Sequence, residues 1–113
     1  MTDCVFCKII SKDIPAQILY DDENILAFKD LNPVAPVHFL VVPKIHIADT
    51  DEINDKNKHL IAEIFKTIPL ICRNLRISNE YRIVNNCGEK AGQTVPHIHF
   101  HVLGGRNFKW PPG

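Results

Sequence analysis

The apolar residues of this chain follow two spacings, one typical of strands and one typical of helices. The segments QILYDD (17–22) and NILAFKDL (24–31) are short apolar runs joined by the turn-forming residues Asp-Asp-Glu-Asn, and they predict an antiparallel hairpin. The run VHFLVVPK (37–44) resumes after the proline-rich NPVAP and is too apolar for an edge strand. We therefore expect it in the centre of a sheet.

Helical spacing occurs in two other segments. Between residues 51 and 76 apolar residues recur at intervals of three and four with charges between them, which predicts one long amphipathic helix. Pro69 lies inside this segment and should bend the helix. The segment CVFCKIIS (4–11) has the same spacing and predicts a short helix, capped by Thr2 or Asp3.

The C-terminal part returns to strand patterns. YRIVNN (81–86) predicts a strand, CGEKAGQTVP (87–96) a glycine-bearing loop, and PHIHFHVLGG (96–105) a final strand. Strands at both ends with a long helix inserted indicate the α+β class, with one antiparallel sheet of about five strands, one long helix and one short helix. At 113 residues, we expect a single domain over residues 1–113.

Charge and composition narrow the classes of function. Lys plus Arg and Asp plus Glu each number 13, so no basic surplus indicates binding to nucleic acid or to an anionic membrane. No apolar run approaches the roughly 20 residues of a membrane-spanning helix, and the N-terminus lacks the basic start and apolar core of a signal peptide. We expect a cytoplasmic protein, with passage into the nucleus left open for a eukaryotic source.

The final strand carries three of the six histidines at alternate positions, His97, His99 and His101. Because successive side chains of a strand point to opposite faces, these imidazoles should share one face at intervals of about 6.6 Å. The alternative is a solvated strand face or a set of hydrogen-bonded core residues. It is disfavoured for three alternating histidines, because each buried imidazole must find a partner and each exposed one offers little to stability. The pattern favours a small-ligand site, and the preceding KAGQT (90–94) is either a plain turn or a cradle for phosphate oxygens.

The cysteines allow several interpretations. Four cysteines could form two disulfides in a secreted protein, whereas in a reducing compartment the pair Cys4 and Cys7 is more often metal-binding or redox-active. A thioredoxin-like role is disfavoured because the βαβ context of such motifs is missing. We interpret Cys72 and Cys87 as packing residues without chemistry.

The segment HIHFHVL fits the histidine triad pattern, and the match extends over CKIISKDIPAQILYDDENILAFKDLNPVAPVHFLVVPKIHI, GQT, HVLGGR and WPPG. Over nearly its whole length the chain resembles the Hint branch of the histidine triad (HIT) superfamily, which WPPG separates from the dinucleoside polyphosphate hydrolases. The resemblance implies a HIT-like domain. It also implies a hydrolase that cleaves purine nucleoside phosphoramidates, of the AMP–amine or AMP–lysine type, to nucleoside monophosphate and amine.

The resemblance assigns roles to individual residues. His99 is implied as the nucleophile that forms a nucleotidyl-histidine, His101 as a ligand of the phosphoryl oxygens or the leaving group, and His38 as their support. Asp30 would accept hydrogen bonds from the ribose hydroxyls. The remaining phosphate-binding positions are Asn86, Gln93 and Thr94. The apolar walls around the base, which without the resemblance would be taken as ordinary core residues, are Phe6, Ile9, Ile14, Phe28 and Leu31.

The resemblance also implies a metal and a partner. A structural zinc ion, one per chain, would be held by four ligands: Cys4, Cys7, His46 and His97. Four protein ligands close the site, which disfavours a catalytic role for this metal. No organic cofactor is implied. A homodimer is implied, with Trp110 near the active site across the interface.

Three rival functions stay open. A nucleotide-binding regulatory or interaction protein would keep the site with little turnover, although the intact His99 and His101 favour hydrolysis. A dinucleoside polyphosphate hydrolase would need contacts for a second nucleotide, against which the short chain and WPPG argue. A purely structural zinc protein would have no use for the surplus histidines beyond the four zinc ligands.

Overall fold

The computed structural model describes residues 4–113 and shows one antiparallel sheet with a helix on each face. Two helices, α1 (Val5–Ile10) and α2 (Lys58–Asn74), accompany five strands: β1 (Ile18–Asp21), β2 (Ile25–Lys29), β3 (Val37–Pro43), β4 (Tyr81–Val84) and β5 (Phe100–Gly104). The strand order is β1-β2-β3-β5-β4, with every neighbouring pair antiparallel. The predicted α+β fold is confirmed, including the hairpin β1–β2 and the central position of β3.

The long helix starts later than its apolar spacing predicted. It begins at Lys58, and Thr50–Glu52 forms a separate 3₁₀ turn. The side chain of Asn54 accepts hydrogen bonds from the amides of Lys56 and Asn57, which offers this stretch a local turn in place of the helix. The helix is continuous through Pro69.

The short helix α1 begins with a cysteine cap. The Sγ atom of Cys4 accepts a hydrogen bond from the amide of Cys7 at 3.3 Å, so a thiol takes the place usually held by Ser or Asp. The capping residues expected from the sequence, Thr2 and Asp3, lie outside the described residues. Because Cys4 is the cap, both cysteines of the pair lie at the N-terminal end of this helix.

The two faces of the sheet are covered differently. Helix α2 packs on one face and encloses the larger core, which includes Ile98, Phe100 and Val102 of the C-terminal strand region. Helix α1 covers the other face with Phe6 and Ile9, against a row of residues from β2 and β3: Leu26, Phe28, Leu40 and Val42. In the part of the chain that the structure describes, no helix combines the length and the apolar character needed to cross a bilayer.

Candidate active site and metal centre

The histidines lie on the sheet face that α1 covers. The register of β3 and β5 pairs Leu40 with His101, and His38 lies two residues before Leu40 on the same face. The alternation predicted from the sequence is present, because Ile98, Phe100 and Val102 pack in the α2 core. The strand itself is shorter than predicted: regular pairing begins at Phe100, so His97 and His99 precede it.

A side chain replaces the strand ladder at His99. The carboxamide Nδ2 of Asn85 donates to the His99 carbonyl at 2.9 Å, and the hydroxyl of Thr50 donates to Oδ1 of the same Asn85. Sequence reasoning missed Asn85, and its only signal was its place at the end of the YRIVNN pattern. The main chain of the central triad histidine is therefore held by a side chain from the neighbouring strand region.

His99 has the arrangement expected of a nucleophile. Its Nδ1 lies 2.8 Å from the His97 carbonyl, and since a carbonyl only accepts, Nδ1 carries the proton and Nε2 has a free lone pair. The ring is 4 % exposed and stacks edge-on against Phe6 with ring centres 5.0 Å apart. Burial lowers the pKa of His99 below its ordinary value of 6.5. The imidazole is therefore neutral at neutral pH.

A second group joins His38, His101 and Asp30. Nε2 of His38 lies 2.9 Å from Nδ1 of His101 and 3.4 Å from Oδ2 of Asp30. Burial, followed by the neighbouring His99 and His38 rings, lowers the pKa of His101 to about 4. Burial also lowers the pKa of His38, and the Asp30 carboxylate acts in the opposite direction. Both rings are neutral at pH 7.

A cavity of about 300 Å³ opens beside His99 and His101. Its polar lining includes Asp30 and Thr94, and apolar residues of α1, β2 and β3 also line it. Nine of the residues assigned from the resemblance line it: Phe6, Ile9, Ile14, Phe28, Asp30, Leu31, Thr94, His99 and His101. Phe6, Ile9 and Phe28 are also core residues, so these side chains both pack in the core and line the cavity. Leu31 is 88 % exposed and lies at the mouth.

Two assigned residues brace the loop before the triad instead of lining the cavity. Gln93 accepts from the Gly88 amide at 2.8 Å and donates to the carbonyls of Ala48 and Val95 at 2.8 and 2.9 Å. Asn86 donates to the Ala91 carbonyl at 2.8 Å. Both amide hydrogens of Gln93 are thus engaged within the protein, whereas the cavity-lining Thr94 has a hydroxyl to offer.

Four potential metal ligands cluster around the first histidine of the triad, with their ligand atoms all within 4.8 Å of one another: Cys4, Cys7, His46 and His97. Nδ1 of His97 lies 3.3 Å from Sγ of Cys4 and 3.6 Å from Sγ of Cys7, and Cys7 Sγ lies 3.5 Å from Nδ1 of His46. Around a tetrahedral zinc ion with bonds of about 2.3 Å to sulfur and 2.0 Å to nitrogen, such ligand atoms lie about 3.5 Å apart. The donor set and its spacing fit zinc.

The orientation of His97 also suits a metal. Its Nε2 lies 2.9 Å from the Pro43 carbonyl, which requires a proton on Nε2 and leaves a lone pair on Nδ1, the atom that faces the cysteines. The ring is fully buried, and burial lowers the pKa of His97 to about 4. A neutral ring with this tautomer is the form that binds a metal.

Comparisons with known proteins identify the family and support the fold. The HIT domain family matches residues 11–108. An uncharacterized HIT-like protein of Synechocystis is 43 % identical over 98 % of this chain and 97 % of its own. A protein of Brassica juncea called 14 kDa zinc-binding protein is 39 % identical over 98 % of this chain and 100 % of its own. A solved HIT family hydrolase from Legionella pneumophila is 45 % identical, with a TM-score of 0.95 over 98 % of this chain and 100 % of the other.

Proposed function

The chain belongs to the HIT domain family, and on that premise we propose that it is a hydrolase of the Hint type, formed by one domain over residues 1–113. Its substrates are purine nucleoside phosphoramidates, which it cleaves at the phosphorus–nitrogen bond to a nucleoside monophosphate and an amine. The observation that carries the proposal is the state of His99: a neutral, buried imidazole, protonated at Nδ1, with its Nε2 lone pair free beside the cavity.

His99 acts as the nucleophile. Its Nε2 forms a bond to the α-phosphorus while the phosphorus–nitrogen bond breaks, and the leaving nitrogen takes a proton from water or from a neighbouring N–H or O–H donor as the amine departs. The imidazole then carries a positive charge, and its Nδ1–H bond to the His97 carbonyl strengthens as that charge develops. Water then cleaves the nucleotidyl-histidine and releases the nucleotide.

The groups around His99 bind and orient the substrate. The apolar walls from α1 and β2 suit a flat base, and the cavity of about 300 Å³ is at the lower end of the range for small-ligand sites. Asp30, in the polar lining, can accept hydrogen bonds from ribose hydroxyls. His101 and Thr94 supply an N–H and an O–H donor for the phosphoryl oxygens or the leaving nitrogen.

Zinc, held by Cys4, Cys7, His46 and His97, has a structural role in this proposal. Four protein ligands leave no open position for substrate or for an activated water. When bound, the ion ties the start of α1 to the segment that precedes β5, and both of these line the cavity. The relative from Brassica juncea supports this part by its name. The resemblance to the Hint branch supports a homodimer located in the cytoplasm.

The test is hydrolysis of a fluorogenic adenosine phosphoramidate by the wild type and by His99→Ala, both shown to be folded and equally loaded with metal. We expect kcat to fall by at least about a thousandfold in the variant, while AMP still binds. His59→Ala is the matched control, because His59 is exposed on α2 away from the cavity. A wild type that binds AMP without turnover would indicate the nucleotide-binding interaction protein instead. Faster hydrolysis of a dinucleoside polyphosphate would indicate the second rival.

A further inference from the structure

The ring of His38 accepts a hydrogen bond at Nδ1, the nitrogen that does not face His101. The main-chain amide of Val34 lies 3.1 Å from Nδ1 of His38. An amide nitrogen can only donate, so Nδ1 must accept, and the single proton of a neutral His38 ring lies on Nε2. The tautomer of this histidine is therefore determined by one main-chain donor.

The same proton determines the state of His101. Nε2 of His38 and Nδ1 of His101 are 2.9 Å apart, and two bare nitrogens cannot approach so closely without a hydrogen between them. Since His38 supplies that hydrogen, Nδ1 of His101 accepts it and the proton of a neutral His101 lies on Nε2. This second nitrogen has no partner among the described residues, and His101 lines the cavity. The Asp30 carboxylate, 3.4 Å from the His38 nitrogen, favours the same placement of the proton.

We propose that the Val34 amide fixes the tautomers of His38 and His101, and that Arg106 is a positioning residue that holds the Val34 segment in place. As a result His101 presents an N–H donor to the cavity. The opposite tautomer would direct a lone pair at the phosphoryl oxygens, which is repulsive. The consequence for turnover rests on the proposed function, whereas the tautomers themselves do not.

Arg106 reaches the Val34 segment from the end of β5. Its Nε donates to the Val34 carbonyl at 3.1 Å, and its guanidinium lies 4.3 Å from the centre of the Phe108 ring. The turn that directs Arg106 there uses Gly105, which has a φ of +91° and leaves no room for a side chain beside Pro36. The segment before β3 is thus held at the residue that donates to His38.

The alternative interpretation of this cluster is a metal site, because its ligand atoms lie close enough together to hold an ion: those of Asp30, His38 and His101. The Val34 amide argues against it. A neutral histidine that binds a metal through Nε2 carries its proton on Nδ1, and here Nδ1 accepts a hydrogen bond. The hydrogen bonds of this cluster therefore fix the tautomers of His38 and His101 and disfavour the binding of a cation.

The first test is ¹⁵N NMR of the histidine rings in the full-length, metal-loaded protein without substrate, since chemical shifts distinguish protonated from bare ring nitrogens. We expect bare Nδ1 and protonated Nε2 in both His38 and His101. Val34→Pro removes the amide hydrogen while changing an exposed side chain (61 % exposed), and Val34→Ala keeps it. The proline variant should show protonated Nδ1 in His38, and the alanine variant should not. Protonated Nδ1 in the wild-type ring would overturn the inference, as would an unchanged ring in a folded proline variant.

The second test uses two arginines that both lie on the Phe108 ring. Arg82 stacks on it at 5.2 Å and donates to the Lys109 carbonyl, away from Val34. Arg106→Gln should lower kcat about tenfold with little change in KM, Arg106→Lys should restore most of it, and Arg82→Gln should leave kcat unchanged. Equal losses in the two glutamine variants would show a general effect of the tail and overturn the role of Arg106. If Val34→Pro fails to fold, the arginine variants still test the role of the Val34 segment. A wild type that is inactive on phosphoramidates would refute the proposed function, but the NMR result on the tautomers would still stand.

Discussion

The carbonyl oxygen of His97 accepts a hydrogen bond from Nδ1 of His99 at 2.8 Å, while the imidazole of the same His97 lies against Cys4 and Cys7. One residue thus contacts two sites: its side chain lies in the cysteine and histidine cluster, and its main chain accepts the hydrogen bond from His99. Phe6 connects them again, because it lies between the two cysteines in sequence and stacks on both His97 and His99. Loss of the metal should therefore affect both stability and chemistry.

Removal of zinc is the first prediction. Treatment with a strong chelator should lower the free energy of unfolding, by about 4 kcal/mol where free zinc had been a thousandfold above its Kd. Turnover should fall as well, because the His97 carbonyl that orients His99 loses its support. Urea unfolding and phosphoramidate hydrolysis with and without chelator measure the two effects.

Cysteine variants separate this effect from side reactions of the chelator. Cys7→Ser should bind less zinc than the wild type and show the same instability without chelator, whereas Cys87→Ser, which lies outside the cluster, should match the wild type in measured zinc content. Equal stability of the zinc-loaded and chelated wild type would contradict a structural role for the metal.

The second prediction concerns Asn85. Asn85→Asp keeps the shape of the side chain but replaces the Nδ2 donor with an oxygen that faces the His99 carbonyl. We expect the variant to lose about 1–3 kcal/mol of stability, and kcat to fall while KM changes less, since the ring of His99, the proposed nucleophile, is displaced. Chemical denaturation and steady-state kinetics give both quantities. Asn79→Asp, at an exposed position, is the control. A similar loss of stability there would mean that the effect at Asn85 comes from the added charge and not from the lost hydrogen bond.

The sequence alone predicted what depends on spacing and missed what depends on side chains bonding to the main chain. The hairpin, the central strand and the alternation at His97, His99 and His101 follow from apolar periodicity, and the structure has all three. The late start of α2, at Lys58, follows from the local hydrogen bonds of Asn54, and the support of His99 comes from Asn85 across the sheet. Such bonds leave no periodic trace, because asparagine is equally common in plain turns.

The four proposed zinc ligands illustrate the same limit. Cys4 and Cys7 are recognisable as a pair from their spacing, but His46 and His97 are 51 residues apart and meet only because Pro43, at the end of β3, and the segment before β5 are neighbours in the fold. Their assignment from sequence needed the family resemblance. Gln93 shows the converse, since the resemblance suggested a phosphate contact and the structure engages its amide with three main-chain groups.

The third prediction uses two glycines with nearly the same φ. Gly105 and Gly88 have φ values of +91° and +90°, but a Cβ on Gly105 would lie 2.9 Å from Pro36 while one on Gly88 would meet nothing within 4 Å. Both alanine variants should lose about 1–2 kcal/mol from backbone strain, and Gly105→Ala should lose more because Pro36 must move. Thermal unfolding of the two variants isolates the Pro36 contact as the difference between them. Equal losses of stability in the two variants would mean that Pro36 can move at little cost in free energy.

The last prediction is that acid destabilises the protein through His101. Its pKa is lowered to about 4 in the folded state, against an ordinary value of 6.5. Between these pH values the unfolded chain binds the proton and the folded chain does not, so the contribution of this group is complete above about pH 6.5 and is lost as the pH falls toward 4. The slope from this one group approaches about 1.4 kcal/mol per pH unit within that window.

Replacing His101 by Gln should therefore make the loss of stability between pH 7 and pH 4.5 smaller than in the wild type, whatever the substitution does to stability at pH 7. Urea unfolding at several pH values with constant metal loading measures it. His59→Gln, at an exposed position on α2, is the matched control for the loss of one histidine. If the pH dependence of the His101 variant runs parallel to that of the wild type, the buried ring takes up its proton without unfolding, and the hydrogen bond from His38 to His101 must then break within the folded state.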